Sequence, residues 1–449
     1  VTEIYRTTRD PRYLELAKNL IDIRGLVTNG RDHNQDRIPF RQQTTAMGHA
    51  VRANYLYAGV ADVALETGDS TLLKPLDLIW KDLVQSKVYI TGGCGALYDG
   101  VSPDGTTYDQ PSIQLIHQSY GRPYQLPNLT AHNESCANIG KLLWNWRMLQ
   151  LTADTKYAHW LEQTLYNSIL SAVSLDGKRY FYTNPLAVNN DLPYELRWSK
   201  DREEYISHCN CCPPNVVRTV AQVNNYIYSL SENTLWCHLF SDSQLKTELP
   251  EGGRIELRQK TDYPWDGKVV FEIADAPASN YSIKLRIPDW ADDASISINN
   301  KRTKPVQAGS YATLTRKWKK GDLVTLEMPM KTRLIQAHHL VEETRNQVAV
   351  QRGPLVYCLE SPDMPEGQRI FDFALSARST FTPVPMQMEG SKIMALEVDA
   401  LLINTEEENA LYRELKSPGD WPKQKIRLIP YYAWNNRGPS EMSVWIPLR

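Results

Sequence analysis

Cysteine and phenylalanine are scarce in this chain, at 7 each among 449 residues. Thiols so thinly spread cannot make a disulfide-stapled secreted scaffold. Their spacing is not that of the two C-x-x-C pairs of a zinc ribbon, so no generic finger motif is met. An excess of charge is also missing. The formal net charge is −2 and no basic run occurs, which excludes nucleic acid as an expected partner. No apolar stretch is long enough to span a bilayer, so no membrane span is expected. What the chain has in place of phenylalanine is 24 tyrosines and 12 tryptophans. Rings that carry a polar handle suit sugar binding, as they suit any half-exposed surface.

Three of the seven cysteines fall within four positions, in His208-Cys209-Asn210-Cys211-Cys212-Pro213-Pro214-Asn215. Two prolines followed by an apolar run at helical spacing mark a helix start, since the first turn tolerates proline. The thiols of Cys211 and Cys212 are therefore expected just ahead of a helix N-terminus, where the partial positive charge favours thiolate. Some 75 residues earlier, His132-Asn133-Glu134-Ser135-Cys136 opens a second apolar helix. Glu134, Cys136, Cys211 and Cys212 together offer one carboxylate and three sulfurs, a plausible tetrahedral set for Zn²⁺. A cysteine is also a small core hydrophobe, so the chemistry of these residues leaves buried structural thiols as the other reading.

The segments LPNLTAHNESCANIG, FYTNPL, CNCCPPNVVRTVA and IPYYAWNNRGPSEMSVW resemble glycoside hydrolase family 127 over nearly the whole chain. That family includes β-L-arabinofuranosidases and hydrolases of the acidic branched sugar aceric acid. The resemblance implies zinc bound by Glu134, Cys136, Cys211 and Cys212, with Cys211 as nucleophile. It also implies substrate contacts from His49 and Tyr182, with Tyr180 an alternative to the latter, and it makes an oligosaccharide the expected partner. Arg122 is a candidate to pair with a substrate carboxylate. The compartment stays open, with the bacterial periplasm as one candidate, and the oligomeric state is not fixed.

The fold class expected is α+β and multidomain, part of an (α/α)₆ toroid followed by β-sandwich modules. Apolar periodicity predicts helices at about Pro11–Leu26, Thr44–Thr67, Ser70–Val84, Asn133–Leu151, Thr155–Leu175 and Pro214–Leu230. A recurring joint, Thr8-Arg9-Asp10, Thr67-Gly68-Asp69 and Thr152-Ala153-Asp154, separates successive runs and reads as a repeated helix–turn–helix device. Six helices are half of what the toroid of the resembled family needs. Val1–Thr8 holds the place of a helix tail before the first joint, so the other half of the ring is expected outside this chain.

From about Asn233 the period changes to two. Arg254–Arg258, Ser282–Arg286 and Ala294–Ile298 alternate apolar and polar residues, as antiparallel sandwich strands do, and Asn299-Asn300 supplies a turn. The expected divisions are 1–232 helical, 233–361 sandwich and 362–449 a second β-rich module, entered after a strand at Gln347–Leu359.

One departure from the resembled family bears on the chemistry. Its general acid/base glutamate falls on Gln118, and an amide neither donates a proton at neutral pH nor acts as a base. The loop before it, Ala96–Ile116, is longer than in arabinofuranosidases. A sugar-binding protein without catalysis, an engineered Glu→Gln change, a substituting carboxylate at Asp104 or Asp109, and a carboxylate supplied by the substrate are the four accounts. The intact thiol set argues against the first, since a binding module has no need of a thiolate nucleophile, and the last is the account expected here. The function expected is thus a retaining exo-glycosidase acting on a furanosidic L-sugar, an acidic one of aceric-acid type from plant pectin. Neutral β-L-arabinofuranosides, or carbohydrate binding around a structural zinc, are the alternatives.

Overall fold

The three Thr-x-Asp joints fold alike in the computed structural model, which describes residues 1–99, 117–191, 198–403, 412 and 421–449. In each, the middle residue turns left-handed after a helix, at φ 59° for Arg9, 68° for Gly68 and 55° for Ala153. The aspartate then caps the next helix by accepting from the backbone N–H two residues on, at Arg12, Thr71 and Lys156. Each aspartate N–H in turn bonds the hydroxyl of the threonine two residues back, at 3.2 Å. Both ends of the turn are thereby satisfied, which is why the triplet recurs.

The joints connect α1 (Thr2–Thr8) to α2 (Pro11–Asp22), α3 (Ala50–Thr67) to α4 (Leu73–Ser86), and α5 (Ser135–Thr152) to α6 (Thr155–Gln163). A further helix among the described residues, α7, covers Cys212–Ala221. α3 and α5 pack closely because Gly140 has no side chain. A Cβ there would stand 2.9 Å from Asn54 and Tyr55. Tyr57 and Trp144, both fully buried, meet between them with ring centroids 4.8 Å apart and planes tilted by 50°.

Several expected helices are shorter than their periodicity. Residues 44–49 are extended or turned, because Gly48 takes φ 69° where a Cβ would meet the Asp32 carbonyl oxygen at 1.7 Å. The Thr155–Leu175 run is interrupted by a π turn at Thr164–Ile169 and a 3₁₀ turn at Leu170–Ala172. Pro214–Leu230 is not one helix. After α7 and a 3₁₀ turn at Val223–Tyr226, residues Tyr228–Ser231 form a strand paired with Thr234–Cys237. An apolar run at helical spacing there also satisfies a hairpin, and the sheet partner decides.

The β half holds two units. A six-stranded sheet (in order 301–302, 295–298, 323–327, 268–275, 254–261, 243–248) faces a four-stranded one (310–316, 281–287, 234–237, 228–231). Between them lies a core of Leu235, Phe240, Leu257, Phe271, Ile283 and Leu326, among others. Asn299 and Asn300, at φ 50° and 64°, close the two-residue hairpin loop between 295–298 and 301–302.

The expected single strand Gln347–Leu359 is two strands, Gln347–Arg352 and Leu355–Glu360, folded back at Gly353-Pro354. They pair with Thr332–Ile335 on one side and Lys423–Pro430 on the other. The change of sheet therefore falls near residue 331 rather than near Pro362. A short strand of the helical unit, Ala187–Val188, pairs with Met442–Ser443 of this last sheet. The C-terminal sheet thus buttresses the segment that follows Phe181-Tyr182-Thr183-Asn184.

Candidate active site

Two helix N-termini meet at one point. Glu134 is the N-cap residue of α5 and Cys211 that of α7, so both positive helix ends face the same small volume. Pro213 and Pro214 occupy the first turn of α7 as the sequence suggests. The Glu134 loop is held by the strand opposite. The Ser135 N–H donates to the Tyr182 carbonyl at 2.9 Å, and the Asn133 side chain donates to the Asn184 carbonyl at 2.8 Å. Behind that strand, Trp434 stacks on Phe181 at 4.9 Å and Tyr431 Oη donates to the Pro185 carbonyl.

One donor atom from each of Glu134, Cys136, Cys211 and Cys212 lies within 4.8 Å of every other. The Cys211 sulfur is 3.7 Å from that of Cys136, 3.8 Å from that of Cys212 and 3.8 Å from Glu134 Oε1. Cys212 Sγ is 3.7 Å from the same oxygen. Thiolates on a tetrahedral zinc at about 2.3 Å stand about 3.8 Å apart. The spacing fits that ion. The electrostatics fit it as well. Cys136 is pulled down to about 5, chiefly by its side-chain hydrogen bonds with Cys211 and then Cys212. Cys211 is pushed up chiefly by its bond to Cys136, and Cys212 well up, chiefly by burial. Three sulfurs and a carboxylate this close cannot all ionise without a cation among them. Glu134 Oε2 is buried and has no hydrogen-bond partner among the described residues. Asn215, the last residue of the Cys-Cys-Pro-Pro-Asn motif, hydrogen-bonds Cys136 and ties it through Tyr55 Oη to Arg218.

Three of the four donors are buried, and Cys211 alone is exposed. Cys209 Sγ, also exposed, lies 3.5 Å from it. Tyr182 lies flat on Trp198 at 3.6 Å, and its hydroxyl accepts from Gln118 Nε2 at 3.1 Å. Tyr180 instead turns its hydroxyl to the Gly177 carbonyl, so Tyr182 is the tyrosine that reaches Gln118. His49 adjoins Gln118, its backbone bridging Ser119, and the Gln118 side chain favours the protonated imidazole. Gln118 itself is held at φ 53°, an unusual backbone for a residue other than glycine.

The structure does not bring Arg122 into this group. It sits on an exposed turn, its backbone N–H donating to Gln125 Oε1. Asp104 and Asp109 lie outside the described residues. Sequence reasoning missed His33, His117, Trp198 and the role of Asn215. His33, His117 and Trp198 lie on no periodic stretch of the sequence, whereas Asn215 stands within a quoted motif and on α7.

Family models place this chain plainly. The model for the β-L-arabinofuranosidase GH127 catalytic domain matches residues 1–225. Those for the GH127 middle domain and C-terminal domain match 234–330 and 332–447. A non-reducing end β-L-arabinofuranosidase of Bifidobacterium longum subsp. longum is 31% identical over 482 aligned positions, covering 99% of this chain and 69% of the relative. A solved glycoside hydrolase is 55% identical at TM-score 0.96, covering all of this chain and 74% of that one. The GH127 β-L-arabinofuranosidase of Geobacillus stearothermophilus T6 is 34% identical at TM-score 0.87, covering 99% and 70%. With its α+β multidomain fold and its Cys₃Glu cluster, the chain is a glycoside hydrolase. It belongs to family 127.

Proposed function

We propose that the chain hydrolyses terminal β-L-arabinofuranosyl linkages with retention of configuration, with Cys211 as the nucleophile. The observation that carries this is the exposure of Cys211 alone in the cluster, within a family whose matching relatives are β-L-arabinofuranosidases. Zinc, held by Glu134, Cys136, Cys211 and Cys212, would keep the sulfurs ionised and fixed in place. Cys211 Sγ attacks the anomeric carbon as the bond to the leaving oxygen breaks, and a covalent thioglycoside forms. Water then displaces the sulfur, which leaves as thiolate. Tyr182 and Gln118 orient the sugar at the glycosidic oxygen, and His49 contacts the same ring. The helical unit is read as part of an (α/α)₆ toroid around this point.

A second reading is favoured by Gln118. A furanosidic acidic sugar of aceric-acid type, from plant pectin, would bring its own carboxylate to a site that lacks one. Release of monosaccharide from arabinose-capped and pectin-derived oligosaccharides separates the two. Release of L-arabinose, abolished in Cys211→Ala with the fold intact, supports the first reading. Release of an acidic sugar alone supports the second. A protein without bound zinc after metal-replete preparation contradicts the ligand assignment in either case.

A further inference from the structure

Gln118 leaves the site without a proton-transfer group at the position where a retaining glycosidase needs one, first to protonate the leaving oxygen and then to activate water. The imidazole placed beside Gln118 is that of His49, whose backbone bridges Ser119 and whose protonated form the Gln118 side chain favours.

His49 does not stand alone. His33, His49 and His117 form a triangle of imidazoles, with ring centroids 5.5, 5.0 and 6.2 Å apart and all pairs edge-on. In each ring Nδ1 is buried and finds no hydrogen-bond partner among the described residues.

The triangle is built rather than incidental. The buried Gln35 side chain stands within hydrogen-bonding distance of the carbonyls of His33 and His49, at 3.2 and 3.3 Å, and also of Met47. His49 pairs as an isolated bridge with Ser119, one residue beyond Gln118. Gly48 permits this approach, since any Cβ there would collide with the Asp32 carbonyl.

We propose that His49 is the general acid/base of this enzyme, working at the place that Gln118 leaves without a carboxyl group. The proposal rests on the reading of Cys211 as nucleophile. In the first step the imidazolium gives its proton to the glycosidic oxygen. The C–O bond breaks with its electron pair going to that oxygen, and Cys211 Sγ bonds to the anomeric carbon. In the second step the now neutral imidazole takes a proton from water. The water oxygen bonds to the anomeric carbon, the C–S bond breaks, and its pair returns to sulfur as thiolate. The cycle ends with His49 protonated, as it began.

Burial, then Arg52, His33 and His117, disfavour the charged ring and lower His49 to about 4, partly offset by the Gln118 side chain. An imidazolium of that acidity is a proton donor as strong as an ordinary glutamic acid, which titrates near about 4.3. The sign of the pH dependence follows. Only the protonated form assists departure of a poor leaving group, so kcat/KM on such a substrate falls as pH rises above that value. A leaving group that departs without a proton removes this limb.

The test uses the full chain with 4-nitrophenyl and methyl β-L-arabinofuranosides. For the unaltered enzyme, kcat/KM on the methyl glycoside should fall about tenfold per pH unit between pH 5 and 8, while the aryl glycoside shows no such limb. His49→Ala should lose about 100-fold or more in kcat on the aryl substrate. Azide, a nucleophile that needs no base, should restore turnover with formation of arabinosyl azide. His49→Gln, closer in shape, gives the same readout if His49→Ala does not fold. Activity undiminished in both variants, or a loss that azide does not rescue, would overturn the proposal while leaving the Cys211 reading intact. No arabinose from either glycoside with the unaltered enzyme would remove that reading, and this proposal with it.

Discussion

At the scale of single residues, the site is a balance between groups that want to be charged and surroundings that resist it. The sulfurs and the Glu134 carboxylate are gathered at ligand distance beneath two helix N-termini, which favour anions. A few residues away, three imidazoles are packed together, and burial, then Arg52, lowers both His33 and His49 to about 4. Gln118 stands between the two clusters, bonded to Tyr182 and beside His49. Gln118→Glu would set a carboxyl group at the point where His49 now handles protons alone. The expected outcome is a rise of about tenfold or more in kcat/KM on methyl β-L-arabinofuranoside, with little change on an aryl glycoside whose leaving group needs no proton. Steady-state kinetics on the two substrates check it. The thiol set was legible in the sequence because its members are contiguous and chemically rare. His33 and His117 were not, because lone histidines in irregular segments carry no period, and only the fold brings them face to face.

At the scale of elements, the repeated joint was the most legible feature. Thr-x-Asp satisfies the orphan groups at the end of one helix and the start of the next with three consecutive residues, so the triplet survives as a pattern. The middle position is where the three copies differ. Gly68 takes φ 68° at no steric cost, whereas Ala153 is held at 55°. Ala153→Gly is therefore expected to stabilise the protein by about 1 kcal/mol, and Gly68→Ala to destabilise it by a similar amount. Asp154→Ala, which removes the cap on Lys156 N–H, should cost about 1 kcal/mol. Denaturant melts of the three variants measure each value. The strands at Tyr228–Ser231 and Leu355–Glu360 were less legible. Their apolar residues fit a helix or one long strand until the partners at Thr234–Cys237 and Gln347–Arg352 are known.

At the scale of the whole molecule, the β units act as supports for the helical one. The C-terminal sheet pairs with Ala187–Val188 and stacks Trp434 on Phe181, fixing the strand that carries Tyr182. The sandwich is joined to α6 by a buried ion pair. Arg286 Nη2 meets Glu162 Oε1 at 2.5 Å with both side chains almost fully enclosed, and Tyr263 Oη adds a bond to that same oxygen. Removing one partner leaves an uncompensated buried charge. Arg286→Met is expected to cost about 3–5 kcal/mol, read as a fall in unfolding midpoint. The double variant Arg286→Met/Glu162→Gln should recover part of that loss. None of this was legible in the sequence, since Glu162 and Arg286 lie on elements 124 positions apart in the chain and either would pass for a surface charge.

Whether Cys211 is the nucleophile is read from the site of covalent attachment. The enzyme is incubated with an excess of an aryl β-L-arabinofuranoside, quenched in acid during turnover and digested for peptide mass mapping. One pentosyl residue is expected on the Cys211 sulfur, at higher occupancy in His49→Ala because the second step is slowed, and absent in Cys211→Ala. A pentosyl adduct on a carboxylate, or none at all together with a product of inverted anomeric configuration, would contradict the assignment of Cys211 as nucleophile.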